Sequence, residues 1–139
     1  MYFCYMTSVV ILGAGNVATH LFKAFSKTEH ASVIQWYNRN LNVLKDYNSQ
    51  VEITDDLTQL KEADLYILAV SDDAIKSLAS LLPFKNRLVV HSSGSVSLYD
   101  IDKKHKRGVF YPLQTFSKTA EIDFANVPVC IEALKKEDY

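Results

Sequence analysis

The chain's 139 residues fit a single domain by ordinary size, and an apolar fraction of 48% is too high for intrinsic disorder. Fifteen basic against sixteen acidic residues leave a net charge of -1, so bulk charge forecasts no nucleic-acid surface. No run approaches the roughly 18 apolar residues of a membrane span, so no membrane partner is expected.

Short β-rich runs alternate with helical periodicity, the pattern of βαβ units on a parallel sheet. Ser8–Leu12 (SVVIL) predicts a nearly all-apolar first strand, as buried parallel strands usually are. Asn16–Ser26 predicts a helix with Val17, Ala18, Leu21, Phe22 and Phe25 on one face. Ala31–Tyr37 reads as the second strand, Leu41–Tyr47 as a short helix, and Val51–Ile53 as the third strand. Thr54-Asp55-Asp56 then resembles a helix start. Asp64–Val70 is the next buried strand, and Ser71-Asp72-Asp73 predicts an N-cap with an acidic first turn. The helix that follows carries Ile75, Leu78, Ala79 and Leu82 inward. Leu88–His91 is the fifth strand, and Gly108–Tyr111 and Val127–Ile131 are two further strands. The expected fold is α/β: a Rossmann-type doubly wound, mainly parallel sheet in one three-layer αβα domain.

Cys4 and Cys130 are far apart, and neither they nor His20, His30 and His105 show metal-ligand spacing. No metal is therefore expected. A reduced cytoplasmic protein fits this cysteine usage, and the N-terminus lacks the basic start of a signal peptide.

Directly after the first strand stands Gly13-Ala14-Gly15-Asn16-Val17-Ala18, a GxGxxA that opens a helix. Gly13 allows the tight turn, Gly15 lets a pyrophosphate approach the backbone, and Ala18 lets helix and strand pack closely. Unpaired amides and the positive dipole end of the helix then suit phosphate. A ligand-free glycine turn is the alternative, but the strand–turn–helix context favours a dinucleotide.

The end of the second strand bears on which dinucleotide. An acidic residue there would hold the ribose 2′-hydroxyl of NAD, and would equally be wanted by an FAD or S-adenosylmethionine site. The sequence has Tyr37-Asn38-Arg39-Asn40 instead. Arg39 can clamp a 2′-phosphate and Asn38 can donate to it, so NADP is expected ahead of NAD. A solvated surface arginine is the plain alternative.

Two more loops meet where strand order reverses in such a sheet. Val70 and Ser71 follow the fourth strand, where Ser71 either lines a dinucleotide or caps a helix. His91-Ser92-Ser93-Gly94 follows the fifth, where a nicotinamide would sit. His91 is a candidate proton donor, with a hydrogen-bonded strand-end histidine as its alternative. Ser92 and Ser93 suit orienting contacts. Tyr111, Gln114 and Thr115 are candidate substrate-pocket residues, whereas Phe110 and Phe116 read as core.

The segments VVILGAGNVATHL, YNRN, DLYILAVSDDAI, VVHSSGSVSL, GVFYPLQTFSK and VPVCIEA occur in that order. Together they resemble a Rossmann-like NADP-oxidoreductase family, related to pyrroline-5-carboxylate reductases, 6-phosphogluconate-type dehydrogenases and deazaflavin-dependent NADP oxidoreductases. The resemblance implies Gly13, Gly15, Asn16 and Val17 at the pyrophosphate, and Asn38 and Arg39 at the 2′-phosphate. It implies Val70 and Ser71 along the cofactor, and Ser92, Ser93 and Gly94 near nicotinamide. Members often carry His where this chain has Tyr111, so the chain departs from the family's pattern there; His91, Ser92 and Tyr111 are the catalytic candidates. Relatives continue into a helical domain that closes over the nicotinamide and often mediates dimerisation. Residues 1–139 are accordingly expected to be the dinucleotide-binding domain, inactive by itself. Two functions remain open: hydride transfer between NADP and a small carbonyl or imine compound, or nucleotide sensing and interaction without chemistry.

Overall fold

A computed structural model of the protein describes residues 6–112 and 129–133. Its strands are β1 (Thr7–Leu12), β2 (Ala31–Tyr37), β3 (Glu52–Thr54), β4 (Leu65–Leu68), β5 (Leu88–His91), β6 (Lys106–Pro112) and β7 (Val129–Ala133). The helices are α1 (Asn16–Phe25) and α2 (Asp72–Leu81). Short 3-10 turns occupy Leu41–Tyr47, Leu57–Gln59 and Leu98–Asp100. The sheet order is β3-β2-β1-β4-β5-β6-β7. Every pairing is parallel except that of β6 with β7. This is the doubly wound order expected of a dinucleotide-binding sheet, extended by one antiparallel edge strand.

The apolar strands build two cores because successive side chains point to opposite faces. Val9, Ile11 and Ile67 pack with Ala18, Leu21 and Phe22 of α1 on one face. Val10, Leu12, Tyr66 and Leu68 pack with Ile75 and Ala79 of α2 on the other. Residues Val9 to Leu12 are each at most 1% exposed and Tyr66 to Leu68 fully buried, so β1 and β4 form the heart of the sheet.

β2 contains a bulge. Val9 is level with Val33 and Val10 with Gln35, so Ile34 is skipped. Val33 and Trp36 consequently share the α1 face, while Ile34 and Tyr37 share the other. A three-residue spacing between same-face neighbours is what one inserted residue produces. The bulge also sets the fully buried Gln35 amide to work. Its Nε2 donates to Glu52 Oε2 (2.8 Å) and the Gln59 carbonyl (3.0 Å), while Oε1 accepts from the Lys61 amide (2.8 Å).

Two expected helices take the tighter 3-10 form, the first at its expected bounds. Leu41–Tyr47 is 3-10 rather than α, because Leu44 alone among its residues is buried and no apolar stripe anchors a longer helix. After Asp56 there is a single 3-10 turn, capped by the Asp56 carboxylate receiving the Thr58 amide. β3 lies one residue later than expected, and β4 is shorter at both ends.

Candidate functional site

β1 leads through α1 to β2 on one side, and β4 leads through α2 to β5 on the other. The chain therefore parts at the carboxyl ends of β1 and β4, where open α/β sheets bind ligands. A cleft of about 850 Å³ lies there. It is lined by Gly13, Ala14, Gly15, Asn16, Val17, Asn38, Arg39, Val70, Ser71, Ser92, Ser93 and Gly94. The structure thus brings all twelve expected cofactor-binding residues together.

Gly13 has φ +115°, and a Cβ there would stand 2.1 Å from the Ala69 carbonyl oxygen. The turn at this point is pressed against the end of β4, so its glycine answers to backbone conformation and to strand packing together. At Gly15 a Cβ would meet nothing within 4 Å. Gly15 is also the N-cap of α1 and offers no side-chain cap. The α1 start therefore faces open space with its backbone, an arrangement that fits a phosphate.

The turn is held from behind. The Gly13 amide donates to the Tyr37 carbonyl (2.8 Å), and the Trp36 indole donates to the Gly13 carbonyl (2.6 Å). Thr19 Oγ1 donates to the Gly15 carbonyl at 2.9 Å.

At the end of β2, Arg39 is exposed on the cleft and forms no ion pair with a described residue. Asn38 differs from expectation. Its Nδ2 donates to the Asn40 carbonyl at 2.8 Å, so this amide shapes the Arg39 loop and keeps only part of its donor capacity for a ligand. Tyr37, which the sequence did not single out, lines the cleft and is 9% exposed. The alternation of a strand that ends at the cleft was the signal available for it.

Ser71 stands at the start of α2 but makes no side-chain cap. Of the two roles open to it, the hydroxyl lies on the cleft wall instead. Asp72 and Asp73 occupy the first turn, as expected.

His91 is fully buried and does not line the cleft. Its Nδ1 accepts from the Ser93 amide at 3.1 Å, and Nε2 then carries the proton shared with the Ser97 carbonyl at 3.2 Å. Burial, the dominant cause, pushes its pKa below the usual 6.5. Of its two expected roles this geometry fits the hydrogen-bonded strand-end histidine: both nitrogens are occupied in folding the 92–97 loop. Ser92 is nearly buried and its amide donates to the Leu68 carbonyl at 3.3 Å. Ser93 Oγ accepts from the Ser95 amide at 3.1 Å. The Tyr111 side chain, Gln114, Thr115 and Phe116 lie outside the described residues, whereas Phe110 packs against the α1-side core.

Among the described residues lining the cleft, the ionisable side chains are Tyr37, Arg39 and Asp72. No cluster of metal-ligating side chains occurs among the described residues. No helix among them is long and apolar enough to cross a membrane.

The chain is 36% identical to a Bacteroides fragilis protein assigned as an NADP oxidoreductase, with a TM-score of 0.82. That likeness covers 95% of this chain and 53% of the other. Two solved structures share the fold at lower identity. Prephenate dehydrogenase from A. aeolicus, in complex with hydroxyphenyl propionate and NAD+, has TM-score 0.70 at 16% identity, covering 91% of this chain and 50% of that one. An imine reductase from Aspergillus terreus, in complex with NADPH4 and a dibenzazepine, has TM-score 0.63 at 13% identity, covering 80% and 43%. The chain thus spans about half the length of the solved structures it matches. No curated protein shows significant similarity to it. Residues 8–93 match the family described as NADP oxidoreductase, coenzyme F420-dependent, whose cofactor class is NAD(P); the chain belongs to this family.

Proposed function

We propose that residues 1–139 form the nucleotide-binding domain of an NAD(P)-dependent oxidoreductase acting on a small carbonyl or imine compound. When bound, the nicotinamide supplies hydride transfer. The chain's own residues position it. Amides of Gly15, Asn16 and Val17 hold the pyrophosphate, and Arg39 holds the adenosine end. Val70 and Ser71 run along the cofactor, and the Ser92–Gly94 loop orients the ring. The observation that carries this reading is the open, uncapped α1 start beside Gly15 at the sheet's switch point.

A helical domain completing the substrate site, a homodimer built through it, and a cytoplasmic location belong to the same proposal. The helical domain is the part supported by the chain spanning about half the length of the Bacteroides fragilis relative. One observation favours a second reading, nucleotide sensing without chemistry. Among the described residues, the cleft wall at Ser92, Ser93, Gly94 and Ser95 presents hydroxyls and backbone but no acid or base.

The test is a fluorescence titration with NADPH and NADH. Trp36, the single tryptophan, contacts the glycine turn directly. Saturable change with either nucleotide is expected, and no change with both overturns the proposal. A thermal shift checks it independently, since ligand at about 100 times Kd adds roughly 2.7 kcal/mol.

A further inference from the structure

The end of β3 runs beside the β2 loop that walls the cleft, and it brings a carboxylate, Asp55, that the loop itself lacks. Tyr37 is level with Thr54, and the Asn38 amide donates to the Thr54 carbonyl at 3.1 Å. Leu57, three residues after Thr54, forms part of the cleft wall. Asp55 is bracketed between these two points. Its neighbour Asp56 is committed to capping, with Oδ1 receiving the Thr58 amide (2.9 Å) and hydroxyl (2.7 Å). The exposed Asp55 carboxylate has no hydrogen bond or ion pair with a described residue.

A nearby phenol senses both signs of charge. Tyr37 is nine-tenths buried on the cleft wall, and its hydroxyl has no hydrogen-bond partner among the described residues. Burial raises its pKa most; Arg39 opposes the rise, and Asp55 and Asp56 reinforce it. The phenol therefore keeps its proton and can donate or accept.

We propose that Asp55 is a specificity-determining residue whose charge, beside the β2 loop, opposes that of Arg39 so that the cleft accepts both NADH and NADPH. This rests on the dinucleotide reading above. A carboxylate accepts a hydrogen bond from a free ribose 2′-hydroxyl and repels a 2′-phosphate, whereas a guanidinium attracts the phosphate. Arg39 alone would make a strongly NADPH-selective site; Asp55 offsets it. The carboxylate arrives from β3, so it is invisible in the Tyr37–Asn40 segment.

Isothermal titration of wild type, Asp55→Asn, Arg39→Ala and the control Glu62→Gln with both nucleotides tests this, at fixed low ionic strength. Glu62 is exposed at the amino end of β4, away from the cleft. Melting curves verify that each variant is folded. Asp55→Asn is expected to shift the NADPH-to-NADH affinity ratio about tenfold towards NADPH. Arg39→Ala shifts it the other way, and Glu62→Gln leaves it unchanged. An unchanged ratio in Asp55→Asn, or one matched by Glu62→Gln, overturns the inference while Arg39 still responds. Binding of neither nucleotide to folded wild type overturns the dinucleotide reading itself, and this inference with it.

Discussion

The Trp36 indole N–H donates to the Gly13 carbonyl at 2.6 Å, joining the end of β2 to the glycine turn across 23 positions. Trp36 is fully buried, with its ring stacked on Phe22 of α1 at 4.7 Å and tilted against Tyr47 at 4.9 Å. The phosphate-facing turn is thereby braced by the aromatic core. Trp36→Phe keeps a ring but removes the donor, leaving a buried carbonyl unpaired. We expect a stability loss of about 2–3 kcal/mol. NADPH affinity should fall as well, by about threefold or more, because the turn loses its fixed backing. Denaturant melts and calorimetric titration read the two effects separately. An NADPH affinity equal to wild type would show that the brace serves folding alone.

The two glycines of the turn separate by substitution. Gly13→Ala must place Cβ on a backbone oxygen, at φ +115°, so β1 and β4 have to part. The expected cost exceeds about 3 kcal/mol, enough to deplete folded protein in expression trials. Gly15→Ala meets no atom and has φ -78°, which any residue adopts. Its stability should change by less than about 1 kcal/mol. The new methyl group instead occupies the open space before α1, so nucleotide binding falls while the melting temperature holds. Parallel melts and titrations distinguish the pair.

Arg39 carries a salt signature. Its exposed guanidinium acts through solvent, so attraction to a 2′-phosphate weakens as the Debye length shortens from about 10 Å at 0.1 M towards 3 Å at 1 M. NADPH affinity should therefore fall with salt more steeply than NADH affinity. In Arg39→Ala the extra steepness of the NADPH slope should be lost. Titrations at several salt concentrations measure this directly.

Much of the fold was legible because the buried parallel strands are apolar runs separated by turn residues. Ala31–Tyr37 and Leu88–His91 lie at their expected bounds. The glycine turn was equally legible, since its residue types answer to local geometry. What escaped depends on neighbours distant in sequence. The bulge at Ile34 shows only in the pairing of β2 with β1. The Trp36–Gly13 bond and the approach of Asp55 to the β2 loop arise from packing and strand register. For His91 the residue type left two roles open, proton donor or hydrogen-bonded strand-end histidine, and the commitment to Ser93 and Ser97 that decides for the second is not visible in sequence.

That commitment has a consequence for acid stability. His91 and His105 both have pKa values below the ordinary 6.5, with burial as the leading cause. His105 Nε2 is bonded to the Ala79 carbonyl at 2.9 Å, and its buried Nδ1 has no partner among the described residues. In the unfolded chain each imidazole takes up a proton near pH 6.5, whereas the folded chain resists doing so until the pH is lower. The unfolded state thus binds more protons in that window, and stability falls as pH falls through it. The contribution is complete above pH 6.5, is lost down through the folded values, and is level below them. Protonation of His91 Nδ1 also breaks the acceptor that the Ser93 amide uses, so the 92–97 loop is the first part to feel the change. The melting temperature should drop between about pH 7.5 and about pH 5.5. His91→Gln removes one titrating group while retaining an amide donor and acceptor, and its melting temperature should depend less steeply on pH across that range. A variant slope equal to wild type would assign the acid sensitivity to other groups.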